Sequence, residues 1–260
     1  MGLSFLKADH KPVLIAHRGA SAYAPENTLS AFKLALDMGA RYIELDVHQS
    51  RDGKVVVTHD ANLKKLAKFK KKVHEMDHDE ITKHSVGAWF DKRFTSEKMP
   101  TLEEALTLIS RRAVVGVDIK GRYGEYPGIE EKILEILEKR GYNGMSYIST
   151  DSIERLRFIR QQAPTVALGY LFDGKDLKET IRIMRDLHCE ALVVPVSAVN
   201  KTLIHKAHQR SLHVCVYTVN NKKSWEELAA QRVDAMFTDY PDLLGMPEYE
   251  QPTLGLTNED

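Results

Sequence analysis

The chain has 260 residues, with 37 basic and 37 acidic side chains and no formal net charge. That length suits one α/β barrel of about 250 residues, and a zero balance argues against general nucleic-acid binding, which draws on a basic excess to displace counterions. A hydrophobic share of 43% beside 28% charged residues is that of an ordinary globule, and no apolar run approaches the ~20 residues that span a bilayer, so no integral membrane association is expected.

The first eleven residues lack the apolar stretch of a signal peptide. Gly2 invites a myristoylation reading, but position 6 is Leu6 rather than Ser or Thr, which argues against it. The two cysteines, Cys189 and Cys215, sit in or beside apolar runs. They read as buried thiols rather than a disulfide, which suits a reducing compartment, and a cytoplasmic location is the expectation.

In chain order, Val13-Leu14-Ile15-Ala16 is a β-branched-rich run of the kind that forms a buried parallel strand. It ends in His17-Arg18-Gly19, a polar triplet at the strand end where α/β enzymes keep their chemistry. Thr28 is the expected N-cap of a helix from Leu29 to Met38, which Gly39 stops. The run from Tyr42 to His59 then reads as a strand, a tight turn at Asp52-Gly53 and a returning strand. With a two-residue loop Arg51 faces Lys54, and Asp46 faces His59, about 4.5–5.5 Å apart at Cβ. Glu44 shares the face of Asp46 because strand residues i and i+2 point the same way. His48 also shares it but is expected to be a solvated hairpin residue. A slip of one residue would undo the pairing.

Residues 61–99 are too long for a simple loop and are expected to form a small inserted lobe with helical parts. The lysines from Lys64 to Lys72 read as a solvated face, with attraction of anionic substrates or phospholipid surfaces as the alternative. His74, His78 and His84 lie in this polar stretch and read as surface residues. Beyond it, strands are expected at 114–119, 146–149, 166–172, 191–194, 213–218 and 235–238. Between them fall helices at 101–109, 129–139, 152–162, about 175–187, 201–209 and 224–231. Leaving the return arm aside, this makes eight strand–helix units and argues for a TIM (β/α)8 barrel carrying the lobe after its second strand. An open doubly wound sheet ranks below it, because His17 to Ala22 holds no G-x-G-x-x-G phosphate loop. All 260 residues are read as one domain.

Glu44, Asp46 and Asp118 place three carboxylates on strands at one barrel face. Buried carboxylates need compensation: either a hard divalent cation, Mg²⁺ or Ca²⁺ for an oxygen-only set, or ion pairing with Arg18 or Lys120. His17 and His59 are suited to acid–base work near neutral pH. Arg18 by its planar fork and Lys120 as a point charge are suited to phosphate, or to neutralising the carboxylates.

His17-Arg18-Gly19, Pro25-Glu26-Asn27-Thr28, Glu44-x-Asp46, Asp52-Gly53 and His59-Asp60 stand in the order and spacing of a known family. Pro100 to Glu104, Asp118-Ile119-Lys120, Thr218-Val219-Asn220 and Thr238 to Pro241 continue the set over nearly the whole chain. In these motifs the sequence resembles the glycerophosphodiester phosphodiesterase family. The resemblance implies a barrel that hydrolyses glycerophosphodiesters, of the glycerophosphocholine and glycerophosphoethanolamine kind, to sn-glycerol 3-phosphate and an alcohol. It implies one divalent cation on Glu44, Asp46 and Asp118, catalysis by His17 and His59, and phosphate binding by Arg18 and Lys120. Asp118 stands where the family usually has Glu, and Tyr217 where it usually has Trp. Tyr217 and Asn27 are candidate substrate-pocket residues, while Thr218-Asn220 and Thr238-Asp239 read as loop-shaping. Leu66-Ala67-Lys68 replaces a family Arg-Thr-Thr segment. No Ser or Cys near the histidines carries a nucleophile's signature, and the resemblance to cyclising phosphodiesterases implies attack by the substrate's own glycerol hydroxyl, through a cyclic phosphate. Two alternatives remain: a lysophospholipid-cleaving enzyme at a membrane surface, which needs an apolar rim beside the basic insertion, and a catalytically silent phosphate-ester-binding barrel.

Overall fold

The structure is a computed structural model that describes residues 11–245, so the readings of the first ten residues lie outside it. Among the described residues there are nine strands and nine α-helices, beginning with β1 (Val13–His17), α1 (Leu29–Asp37), β2 (Tyr42–Gln49), β3 (Val55–Val57), α2 (Lys64–Ala67), α3 (His78–Ile81), α4 (Leu102–Ile109) and β4 (Val114–Ile119). Then come α5 (Ile129–Lys139), β5 (Ser146–Thr150), α6 (Ile153–Gln162), β6 (Ala167–Leu171), α7 (Leu177–Asp186), β7 (Ala191–Pro195), α8 (Lys201–His208), β8 (His213–Tyr217), α9 (Lys222–Ala230) and β9 (Ala235–Thr238). Eight strands run parallel in the order β1-β2-β4-β5-β6-β7-β8-β9, and β9 pairs back onto β1. This is the closed (β/α)8 barrel expected from the alternation.

The strands are apolar on both faces because both are covered. Leu14, Ile43, Leu45, Val115 and Val117 pack outward among the helices, whereas Val13, Ile15, Tyr42, Val114, Ala235 and Phe237 fill the barrel interior. Gly116 interrupts the valines of β4 for steric reasons: a Cβ there would lie 2.1 Å from the Tyr147 ring, which occupies the centre. Local signals set most helix starts. Thr28 accepts from the Ala31 N–H, and Thr101 and Glu104 form a reciprocal capping box at α4. α9 begins two residues before the expected Ser224, because the Asn221 side chain takes the Ser224 N–H and caps it earlier.

The hairpin differs from expectation. Val47 pairs with Val57, His48 with Val56 and Gln49 with Val55. The loop is therefore three residues, Arg51-Asp52-Gly53, closed by Ser50 and Lys54. Gly53 takes φ +83°, the left-handed residue that ends a three-residue hairpin loop. Asp52 is occupied in holding the turn, receiving the Ser50 hydroxyl and the His78 N–H. Asp46 consequently faces Thr58, whose N–H donates to the Asp46 carbonyl, and His59 lies one residue past the ladder.

The insertion holds α2, α3 and two short 3₁₀ turns around its own apolar cluster of Val56, Leu63, Leu66, Val73, Met76 and Ile81. His78, read as a surface residue, is buried under the hairpin loop. His84 stacks on Phe69 at 4.5 Å. The α3 helix docks on the turn, which removes His78 from water in a way that local polarity did not signal.

Candidate active site

The two-residue period of each strand decides what reaches the mouth of the barrel. Val13 and Ile15 point inward on β1, so His17 does as well. Tyr42 points inward on β2, and Glu44 and Asp46 follow it upward. Val114, Gly116 and Asp118 form the same column on β4, with Lys120 just above. In the register, Asp46 lies beside Asp118 and His17 beside Glu44. The apolar interior thus ends in a polar layer at the carboxyl ends of β1, β2 and β4.

Glu44, Asp46 and Asp118 are buried, and one oxygen from each lies within 4.8 Å of the others. Burial, and then the neighbouring Asp46, pushes the Glu44 carboxyl well above its ordinary value. Burial raises Asp118 to about 6 against the pull of Lys120, and Asp46 adds to the rise. Burial would raise Asp46 too, but Lys120 and Arg18 together hold it below the usual carboxylate range. The Lys120 ammonium sits 2.6 Å from Asp118 Oδ2 and 3.0 Å from Asp46 Oδ1. Arg18 Nε is 2.9 Å from Asp46 Oδ2, yet it is not aligned to donate a hydrogen bond. Asp118 Oδ1 is buried with no hydrogen-bond partner at all. Three crowded oxygen donors, one of them unsatisfied, fit a hard divalent cation, which would relieve both the repulsion and the orphaned oxygen. The shorter Asp118 reaches the cluster directly.

Both expected histidines line the same cavity, and each rests on a carboxylate. His17 Nδ1 is 2.8 Å from Asp239 Oδ1, and His59 Nδ1 is 2.9 Å from Asp60 Oδ1. Asp239 also receives the Ser21 hydroxyl and the Asn220 amide; burial opposes its ionisation, but these donors and His17 hold it down at about 2. Burial lowers the His59 pKa, and Arg18 lowers it further. Asp239, read as loop-shaping, does tie Ser21, Ala22 and Asn220 together, and beyond that reading it also backs His17. Its position two residues beyond the inward Phe237 on β9 was the available signal.

Two further residues depart from expectation. The Asn27 side chain, expected at the substrate side, clamps Asp46 instead: Nδ2 donates to Asp46 Oδ2 at 2.8 Å, and Oδ1 accepts the Asp46 N–H at 3.2 Å. The left-handed backbone of Asn27, at φ +59°, turns the amide back onto β2. His48, read as solvated, is only 2% exposed. Burial holds its pKa down. The next turn of chain and the loop after β4 close over it.

The cavity measures about 270 Å³. Its charged side is His17, Arg18, Glu44, Asp46, His59, Asp118 and Lys120; across from them stand Leu171, Val193, Tyr217 and Phe237. Tyr217 meets Phe237 edge to face at 6.5 Å, and both line the cavity. A wider groove of about 580 Å³ beside α7 and α8 shows no comparable convergence. Its Arg182 is paired with Glu179 and Asp186 at the surface.

A (β/α)8 barrel with buried carboxylates, two carboxylate-backed histidines and two cations at its mouth has the make-up of a phosphoester-processing enzyme. Residues 17–243 match the model of the glycerophosphoryl diester phosphodiesterase family. The chain belongs to that family. A glycerophosphodiester phosphodiesterase of Caldanaerobacter subterraneus is 32% identical over 90% of this chain and 96% of its own length. One from Bacillus subtilis is 30% identical over 88% of this chain and 84% of its own. Among solved structures, an Oleispira antarctica phosphodiesterase in complex with the product sn-glycerol-3-phosphate superposes with a TM-score of 0.84 and 27% identity, covering 89% of this chain and 94% of that one.

Proposed function

We propose that this protein hydrolyses glycerophosphodiesters to sn-glycerol 3-phosphate and an alcohol. The observation that carries the reading is the meeting, around one small cavity, of two carboxylate-backed imidazoles, three buried carboxylates and two cations, in a chain of this family. The charged side suits the phosphodiester and the glycerol hydroxyls. The Leu171, Val193, Tyr217 and Phe237 side suits the less polar parts of the substrate.

Glu44, Asp46 and Asp118 would hold a divalent cation, Mg²⁺ or Ca²⁺, which would supply charge neutralisation at the phosphoryl oxygens and make a neighbouring hydroxyl more acidic. Arg18 and Lys120 share the phosphate charge. Asp239 and Asp60 fix the Nδ1 positions of His17 and His59, which leaves each Nε2 free for proton transfer. One histidine takes the proton of the substrate's own glycerol hydroxyl as it attacks phosphorus, and the other protonates the departing alcohol oxygen. The product of that step is a cyclic glycerol phosphate. Water opens it with the two proton roles reversed. An intramolecular hydroxyl already lies near phosphorus, so much of the positioning entropy is settled before binding.

A substrate with hydrogen in place of that adjacent hydroxyl tests the route. It is expected to bind as a competitive inhibitor and turn over very slowly. Hydrolysis at the parent rate would instead establish direct attack by water. The buried free thiols of Cys189 and Cys215 suit a reducing compartment, and we assign the protein to the cytoplasm.

A second substrate class is favoured by one observation. Among the described residues, the large hydrophobic side chains that remain exposed are Tyr23, Trp89, Tyr123, Val196 and Tyr240. Four lie in segments following β1, β4, β7 and β9, and Trp89 lies in the insertion with Lys65 5.1 Å from its ring. Aromatic and lysine side chains at one face suit a lipid–water boundary. Lysophospholipids are therefore the second substrate to assay, and faster turnover of the acylated over the deacylated diester would select this reading. No helix among the described residues is long and apolar enough to cross a membrane.

A further inference from the structure

We infer that His48 and Tyr126 are positioning residues that hold His59 in place through its backbone carbonyl. The inference rests on the reading of His59 as catalytic. His48 lies on β2, two residues beyond Asp46, and its ring makes two hydrogen bonds. Nε2 is 3.0 Å from the His59 carbonyl oxygen, and Nδ1 is 2.6 Å from the Tyr126 hydroxyl. A carbonyl can only accept, so Nε2 carries the hydrogen and donates it. Nδ1 is then a bare lone pair and accepts from the Tyr126 O–H. The arrangement has one direction, from phenol to imidazole to carbonyl, and every polar atom in it is satisfied.

The position explains the need. The β2–β3 ladder ends at Thr58. Among the described residues, no backbone N–H reaches the His59 carbonyl, and His48 supplies its hydrogen bond. The His59 side chain is 37% exposed, and its other anchor, Asp60, is 36% exposed. Little packing therefore fixes this imidazole: Asp60 holds its Nδ1, and the main-chain anchor holds the backbone that carries it. Tyr126, nearly fully buried, stands edge to face with His48 at 5.6 Å and lies in the segment after β4 that also carries Lys120. The relay thus ties together the three pieces of chain that bring Asp46, His59 and Lys120 to the cavity. A misplacement of about 1 Å at a reacting group can cost ~100-fold in rate, so an anchor of this kind acts on turnover more than on affinity.

The test compares His48→Leu, His48→Gln, Tyr126→Phe and His59→Ala in the metal-loaded enzyme. His48→Leu removes the donor and is expected to lower kcat by ~10-fold or more with little change in KM. His48→Gln, whose amide both donates and accepts, is expected to restore most of the loss. Tyr126→Phe deletes a single oxygen and is expected to lower kcat in the same direction, which keeps the test open if His48→Leu does not fold. In the His59→Ala background, His48→Leu is expected to cost nothing further, because the residue it positions is gone. Parental kcat in both His48→Leu and Tyr126→Phe would overturn the inference. So would Gln no better than Leu, or a further loss in the His59→Ala background as large as in the parent. Full activity of His59→Ala alone would instead remove the catalytic reading of His59, and the inference with it.

Discussion

His17 and His59 face one cavity under different neighbours. Asp239, pinned by Ser21 and Asn220, backs His17, whereas the more exposed Asp60 backs His59 beside the cations. Burial disfavours the charged imidazolium of His59 and Arg18 adds to this, so its pKa lies below the ordinary 6.5. A lowered pKa means that His59 stays neutral at pH values where a free imidazole is already charged. Under the proposed catalytic role of His59, the limb it contributes to the bell-shaped profile of kcat/KM is therefore expected below pH 6.5. His17→Ala and His59→Ala are each expected to cost on the order of 10²–10⁴-fold in rate, with the circular dichroism spectrum retained. A near-normal rate in either variant would mark that histidine as structural.

At the scale of elements, the loop that presents Lys120 is fastened from behind. Arg155 on α6 is fully buried, pairs with Glu130 on α5 at 2.7 Å, and donates to the carbonyls of Ile119, Gly121 and Arg122. These carbonyls flank Lys120 on both sides. Arg155→Leu leaves the Glu130 charge buried without a partner, which is expected to cost about 3–5 kcal/mol. Adding Glu130→Leu is expected to return part of that loss, because an apolar pair needs no solvation. Urea unfolding of both variants measures this. A single-variant loss under ~1 kcal/mol would show that water reaches the pair.

At the scale of the whole molecule, the carboxylate cluster links stability to pH and, under the proposed metal site, to the cation as well. The folded-state pKa of Asp118 is raised from 3.8 to about 6. A raised acid favours the folded state when protonated, so the ion-free protein loses this contribution as pH rises from about 4 through about 6. A divalent cation needs the ionised form, and the order reverses when it binds. The rise in Tm on adding Mg²⁺ or Ca²⁺ is thus expected to be larger at pH 8 than at pH 5. Glu44→Ala and Asp46→Ala are expected to abolish both the rise and turnover, and Asp118→Glu to keep or improve them. Full activity and an unchanged Tm in EDTA would remove the metal from the site.

The local code in this chain was readable wherever a signal acts over a few residues. Thr28 and Thr101 cap helices by reaching three residues ahead, and the two-residue period carried His17, Glu44, Asp46 and Asp118 to one end of the barrel. The strand–helix alternation then left a closed eight-stranded barrel as the compact answer. What needed the folded chain was everything set between distant segments. The hairpin loop took three residues rather than two, and its Asp52 is held by the His78 N–H of α3, 26 positions on. His48 became buried because Tyr126 arrives from the loop after β4. Asp239 met His17 because β9 closes against β1, a contact 222 residues apart. Propensity and periodicity report a residue's own backbone, whereas its partner across the barrel depends on closure of the sheet.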